Sequence, residues 1–251
     1  MFANRIMSIY NHILRSKKQG KKLFAILIDP DKQRESELLK IIKKANSAKA
    51  DYFFVGGSLL THDSVDSCLN TLKLSSDIPI ILFPGNAMQV NNKADGILFL
   101  SLISGRNAEM LIGKQVITAP ILKQSSLEIL PTGYILIESG QPTTVSYMSN
   151  TTPIPHNKDA VAACTAMAGE MLGLKLIFMD GGSGAKNPIS EQMIKTVSNS
   201  INVPIIIGGG ISSDEQAARN CKAGADIIVV GNAIEKNGDL ITEIANVVRS
   251  I

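Results

Sequence analysis

Eight short apolar runs, all but the third followed by a segment with helical spacing, constrain this chain more than any other feature. They are Leu23–Ile28, Tyr52–Val55, Ile78–Phe83, Gly96–Leu100, Tyr134–Glu138, Leu176–Asp180, Val203–Gly208 and Asp226–Val230. The runs are continuous rather than alternating, which means burial on both faces and hence a parallel sheet. Eight such units in 251 residues predict a (β/α)8 barrel, with a doubly wound open sheet as the competing arrangement. No composition shift marks a linker, so residues 1–251 are expected to form one domain.

An amphipathic helix is expected ahead of the first strand, over residues 3–16, with Ile6, Ile9, Tyr10, Ile13 and Leu14 on one face. It would cover the barrel floor or join an interface. Further helices are expected at 107–125, 158–172, 188–200, 213–223 and 237–249. In the helix over 158–172, Val161, Cys164, Ala168, Met171 and Leu172 mark the inward face. Residues 87–95 are too short and weakly patterned for a full helix. Residues 139–157, rich in Thr, Ser and Pro, read as a long loop, and loops of that length are more often functional than not.

The formal net charge of +3 is too mild to point to nucleic acid. The basic run from Arg15 to Lys22 reads as a solvated helix end. Cys68, Cys164 and Cys221 are scattered, without metal-ligand spacing, which suits a reducing cytoplasm and packing as small apolar residues. The N-terminus lacks an apolar signal core, and no run approaches the roughly 20 apolar residues of a membrane span. A soluble, cytoplasmic protein is expected.

In a (β/α)8 barrel the chemistry sits at the C-terminal ends of the strands. Three strands end here in glycine-rich turns: Asp180-Gly-Gly-Ser-Gly184, Gly208-Gly-Gly210 and Gly231-Asn232. Glycine lets backbone N–H groups approach an anion, and the helix N-terminus that follows adds positive potential. One such turn is a weak signal; three after consecutive strands point to a phosphate site. Asp29 and Ser58 end neighbouring strands, and a carboxylate with a hydroxyl suits Mg²⁺, which keeps several waters and takes substrate phosphates. Asp29 before Pro30 also suits a helix cap, and the pattern leaves both roles open. Glu138 and Asp180 are strand-end acids, either of which can act as a general base toward a substrate hydroxyl. His12, His62 and His156 fall away from strand ends. The chain has no dinucleotide fingerprint after the first strand, no Ser-His-Asp or Cys-His arrangement, and no strand-end lysine placed for a Schiff base.

Taken in order, Ile28-Asp-Pro-Asp-Lys32, Val55-Gly-Gly-Ser58, Phe83-Pro-Gly-Asn86, Phe178-Met-Asp-Gly-Gly-Ser-Gly-Ala185, Gly208-Gly-Gly-Ile211 and Val230-Gly-Asn232 resemble the geranylgeranylglyceryl phosphate synthase family. That family includes the bacterial heptaprenylglyceryl phosphate synthases, and the resemblance covers nearly the whole chain. It implies a barrel that transfers a prenyl group, most simply geranylgeranyl, from a polyprenyl diphosphate to the C3 hydroxyl of sn-glycerol 1-phosphate, with Mg²⁺ as cofactor. By position, Asp29 and Ser58 would hold the metal. Phe178, Met179, Asp180, Gly181, Gly182, Ser183, Gly184, Gly209, Gly210, Gly231 and Asn232 would bind glycerol phosphate, with Asp180 orienting or deprotonating the hydroxyl. The prenyl tail needs an apolar groove, and the sparse segment after the third strand offers an opening. Archaeal members carry Tyr-x-Glu where this chain has Phe178-Met179-Asp180, which removes a phenol and shortens the carboxylate by a methylene. A homo-oligomer and transient contact with a membrane surface that receives the lipid product are further expectations. The rival reading is another phosphate-binding barrel enzyme, acting on a small sugar phosphate or a thiamine-type diphosphate, which needs no apolar groove.

Overall fold

The computed structural model describes residues 8–32, 34–57, 64–86 and 89–251. Ser58, His62 and Ile6 lie outside these. Eight parallel strands close into a barrel in chain order: β1 (Leu23–Ile28), β2 (Tyr52–Val55), β3 (Ile80–Leu82), β4 (Gly96–Leu102), β5 (Glu128–Leu136), β6 (Leu176–Asp180), β7 (Ile205–Gly208) and β8 (Ile227–Val230). β8 pairs back onto β1, from Leu23 opposite Ile227 to Ile26 opposite Val230, so the sheet has no open edge and the doubly wound alternative falls. Ten α-helices are described: α1 (Ile9–Lys18), α2 (Glu35–Ala48), α3 (Val65–Ser75), α4 (Lys114–Gln124), α5 (Thr144–Ser149), α6 (Asp159–Met171), α7 (Glu191–Ser198), α8 (Asp214–Ala223), α9 (Asn232–Lys236) and α10 (Leu240–Arg249). No α-helix is described between β3 and β4.

Side chains alternate along each strand between the barrel interior and the helical shell. Leu23 and Ala25 join Tyr52, Phe54, Leu98, Leu130, Tyr134, Leu176, Phe178, Ile206 and Val229 inside. Phe24, Ile26, Phe53, Met179 and Ile207 point outward against helix residues such as Ile41, Ile42, Ile194 and Ile244. The same parity carries Asp29 and Asp180 to the inner side at the strand ends. Burying each such Leu, Ile or Phe side chain contributes about 1.5–3 kcal/mol.

A repeated device ties the barrel floor. Ala50-Asp51, Ala94-Asp95 and Ala225-Asp226 each stand just before a strand. Their carboxylates accept N–H bonds from the start of the neighbouring odd-numbered strand: Phe24 N to Asp51 (2.8 Å), Ile80 N to Asp95 (2.8 Å) and Ile205 N to Asp226 (2.9 Å). Glu128 does the same for α1, accepting from Ile9 N (2.6 Å) and Tyr10 N (2.9 Å), where a helix N-terminus favours negative charge. Lys17, in the last turn of α1, meets Asp226 at 2.7 Å. With Ile9 and Ile13 buried against the interior cluster, α1 covers the floor.

The structure departs from the sequence reading in several places. β5 begins at Glu128, six residues before the expected Tyr134, and ends at Leu136, so Glu138 lies beyond it. The expected helix over 107–125 opens with a π-helical turn, Glu109–Gly113, before α4. The expected loop over 139–157 contains α5, which a reciprocal Thr143–Ser146 capping box begins. On α6 the residues read as inward are exposed, and Ala162, Ala163, Ala166 and Gly169 face the sheet instead. Small residues are required there because α6 sits close: a Cβ on Gly169 or on Gly133 of β5 would stand 2.8 Å from the Ile103 side chain. Cys164 is exposed, whereas Cys68 and Cys221 are buried as expected.

Candidate active site

Asp180 is the last residue of β6 and is buried inside the top of the barrel. Its two oxygens are held separately. The Tyr134 phenol donates to Oδ2 at 2.5 Å, and the Gly182 N–H donates to Oδ1 at 2.8 Å. Burial pushes the Asp180 carboxyl above the ordinary range, and these two donors pull it partly back. Burial, and then the charge of Asp180, holds the Tyr134 phenol well above its usual value, so it stays a neutral donor. β7 leaves room for the carboxylate by having no side chain there. A Cβ on Gly209 would stand 2.7 Å from Asp180 Oδ1 and 2.6 Å from Gly181 N.

The glycine turns do not all have the same task. The Gly181 N–H donates to Gly208 O and the Gly182 N–H to Asp180, so both are engaged internally. Those of Ser183, Gly184, Gly209 and Gly210 have no acceptor among the described residues. Gly209 and Gly210 adopt φ of +80° and +74°, conformations that favour glycine. Gly231 precedes α9, whose first residue, Asn232, exchanges hydrogen bonds with Ser183 Oγ at 3.1 and 3.4 Å. The loops after β6, β7 and β8 thus form one cradle of backbone donors suited to a phosphate.

Asp29 stands at the adjoining edge. Its carboxylate pairs with Lys32 at 3.1 Å and accepts the Asp31 N–H at 3.2 Å. The helix that follows starts only at Glu35, with Arg34 at its N-cap position and no side-chain cap bond, so Asp29 is not its cap. Asp31 accepts from Ser64 Oγ at 2.6 Å. Lys32 also reaches Asn232 Oδ1 at 3.4 Å, which joins the Asp29 edge to the phosphate cradle.

A cavity of about 360 Å³ opens from these groups. Asp29, Lys32, Tyr134, Asp180, Ser183, Gly231 and Asn232 line its polar end. Phe83, Val90, Leu98, Leu100, Leu102, Met110 and Val145 make most of the remaining wall apolar, with Lys114, Gln115, Thr118 and Ser149 set among them. It runs toward β4 and α4, where the chain after β3 places Pro84, Gly85 and Val90 in its wall.

Three expected site residues are placed differently. Phe178 is fully buried beneath the site, stacked on Phe83 (5.0 Å, 25°) and edge-on to Tyr134 (5.5 Å); it is a floor rather than a ligand contact. Met179 points outward into the shell between sheet and helices, away from any ligand in the barrel. Glu138 does not join Asp180 in the cavity. It lies exposed, pairing with His156 at 2.9 Å and accepting the Gly140 N–H at 2.6 Å. The Gly140 bond first, then His156, holds its carboxyl below the ordinary range, which makes it a weaker base. The residue that sequence reasoning passed over is Tyr134. Its signal was a hydroxyl inside an otherwise apolar run, at inward parity, one strand from Asp180.

A family model described as the PcrB family matches residues 13–248. A geranylgeranylglyceryl phosphate synthase from Chitinophaga pinensis is 55% identical over 242 residues, covering 96% of each chain. Another of that name from Spirosoma linguale is 53% identical, covering 94% of this chain and 96% of its own. The crystal structure of (S)-3-O-geranylgeranylglyceryl phosphate synthase from Thermoplasma acidophilum, in complex with substrate sn-glycerol-1-phosphate, superposes with a TM-score of 0.93. It is 29% identical and covers 98% of this chain and 100% of its own.

Proposed function

The chain belongs to the PcrB family, and on that footing we propose that it is a prenyltransferase joining a geranylgeranyl group to the C3 hydroxyl of sn-glycerol 1-phosphate. The observation that carries this reading is the meeting, in one cavity, of the buried Asp180 carboxylate, of Ser183, Gly231 and Asn232 from the phosphate turns, and of an apolar extension. A sugar-phosphate or thiamine-type substrate has no use for that extension.

In the transfer, the bond from the donor's C1 to the diphosphate oxygen breaks and a bond from the acceptor oxygen to C1 forms. Diphosphate leaves, and the hydroxyl proton passes to Asp180. The cradle of Ser183, Gly184, Gly209, Gly210 and Asn232 binds the acceptor's phosphate and so brings its hydroxyl beside Asp180. Lys32 adds positive charge beside the leaving diphosphate. Mg²⁺ fits the donor end: Asp29 offers one carboxylate at the cavity wall, as expected for an ion held chiefly by phosphate oxygens and water, and Ser58 is the expected second oxygen. Bound there, the ion would neutralise charge on the leaving group.

Among the described residues no helix is long and apolar enough to cross a membrane. The expected contacts with a second copy, or with a membrane surface taking up the lipid product, have an apolar face to use. Ile112, Val116, Ile117 and Ile121 stand exposed on the outside of the π-helical turn and α4. Turnover of geranylgeranyl diphosphate should require sn-glycerol 1-phosphate, stop on chelation and return with Mg²⁺. Turnover without the acceptor would overturn the function, and indifference to chelation would overturn the metal.

A further inference from the structure

We propose that Tyr134 is a positioning residue for Asp180, fixing the plane of the carboxylate so that its remaining lone pairs face the acceptor hydroxyl. The inference rests on the reading of Asp180 as the acceptor's base. Its own support is geometric. Tyr134 stands on the inner face of β5, opposite Phe178 in the register, and its ring packs against Phe83 (5.9 Å) and Phe178 (5.5 Å). Ring packing leaves the phenol one direction, toward Asp180 Oδ2 at 2.5 Å, while the Gly182 N–H holds Oδ1 at 2.8 Å. One donor on each oxygen stops the carboxylate rotating about its Cβ–Cγ bond. A short side chain on a fixed strand end is thereby aimed without the longer reach of a glutamate.

The phenol also offsets part of the burial that disfavours the ionised form. From β7 the neighbours of Asp180 are the backbones of Gly208 and Gly209. The charged groups elsewhere on the cavity wall are Asp29 and Lys32 after β1, Lys114 on α4 and Glu235 on α9. Tyr134 is the side chain that touches the carboxylate.

Tyr134→Phe keeps the ring and removes one oxygen. Its kcat should fall roughly tenfold or more, the loss expected for one hydrogen bond to a charged group. KM for sn-glycerol 1-phosphate should change less than about threefold, because the phenol does not bind the phosphate. The acid limb of the kcat–pH profile should move up, with part of the rate returning at alkaline pH. An unchanged kcat and acid limb would overturn the proposal. If Tyr134→Phe does not fold, 3-fluorotyrosine at position 134 supplies a stronger donor. The acid limb should then move down, and a limb that stays in place overturns the proposal. Asp180→Asn separates the two readings: full turnover in that variant overturns the base assignment, whereas its loss beside a wild-type-like Tyr134→Phe overturns the positioning role alone.

Discussion

Lys32 and Asp29 form an ion pair 3.1 Å long across one turn of the loop after β1, and the same ammonium lies 3.4 Å from Asn232 of the phosphate cradle. One flexible cation therefore stands between the donor end and the acceptor end of the cavity. Asp29→Asn keeps the shape of this edge and removes its charge. We expect calorimetric binding of sn-glycerol 1-phosphate to persist and turnover to fall roughly 10²-fold, the scale of losing one preorganised charge interaction at a transition state. Equal loss of acceptor binding would place Asp29 in the wrong half of the site.

Gly209 allows a test of the cradle. It adopts φ of +80°, and a Cβ there would crowd Gly181 N and Asp180 Oδ1 at 2.6 and 2.7 Å. Gly209→Ala should cost about 1–3 kcal/mol of stability through backbone strain and raise KM for sn-glycerol 1-phosphate more than that for the prenyl donor. Thermal unfolding and two-substrate kinetics check both.

Asp180 sets function against stability. A carboxyl that titrates higher in the folded chain than in the unfolded one favours folding while it is protonated. That contribution is lost as pH rises through the folded value, and burial raises Asp180 in this way. Ionised at neutral pH, as a base must be, it works against the fold. Asp180→Asn can accept from Gly182 and pair with Tyr134, so it should abolish turnover while unfolding at the same temperature or higher. Its stability should also fall less than wild type as pH rises from the ordinary carboxylate range to neutrality. A lower unfolding temperature would contradict this.

The barrel floor should respond independently of the active site. Asp226 is buried, accepts the Ile205 N–H and pairs with Lys17, which remains partly exposed. Asp226→Ala should cost about 2–4 kcal/mol, below the full loss for a wholly buried pair because solvent screens Lys17. Urea unfolding checks the loss, and specific activity per folded molecule should hold.

Much of this architecture was legible in the chain, and the gaps have physical causes. β1, β2 and β6 read correctly because each is an unbroken apolar run ended by Asp29, Gly56 or Asp180. β5 was read six residues short at its start because Glu128, Pro131, Thr132 and Gly133 look like a loop. Two of them have a positional reason: Glu128 anchors α1, and Gly133 admits the close approach of α6. The inward face of α6 was misread because hydrophobicity favours Val161 and Met171, whereas a tight helix–sheet contact demands Ala and Gly. The glycine cradle and Asp180 were visible as a motif. Tyr134 was not, because its partnership with Asp180 exists only through the register of β5 against β6. Glu138 reads as a site residue only if the strand ends on it, and β5 ends at Leu136.

The most direct measurement is identification of the product by mass spectrometry and NMR, with geranylgeranyl diphosphate supplied together with sn-glycerol 1-phosphate or its enantiomer. A single ether between the geranylgeranyl C1 and the C3 oxygen of sn-glycerol 1-phosphate, with one diphosphate released per ether formed and far less from the enantiomer, is the predicted result. No ether product, or diphosphate release at the same rate without glycerol phosphate, would contradict it.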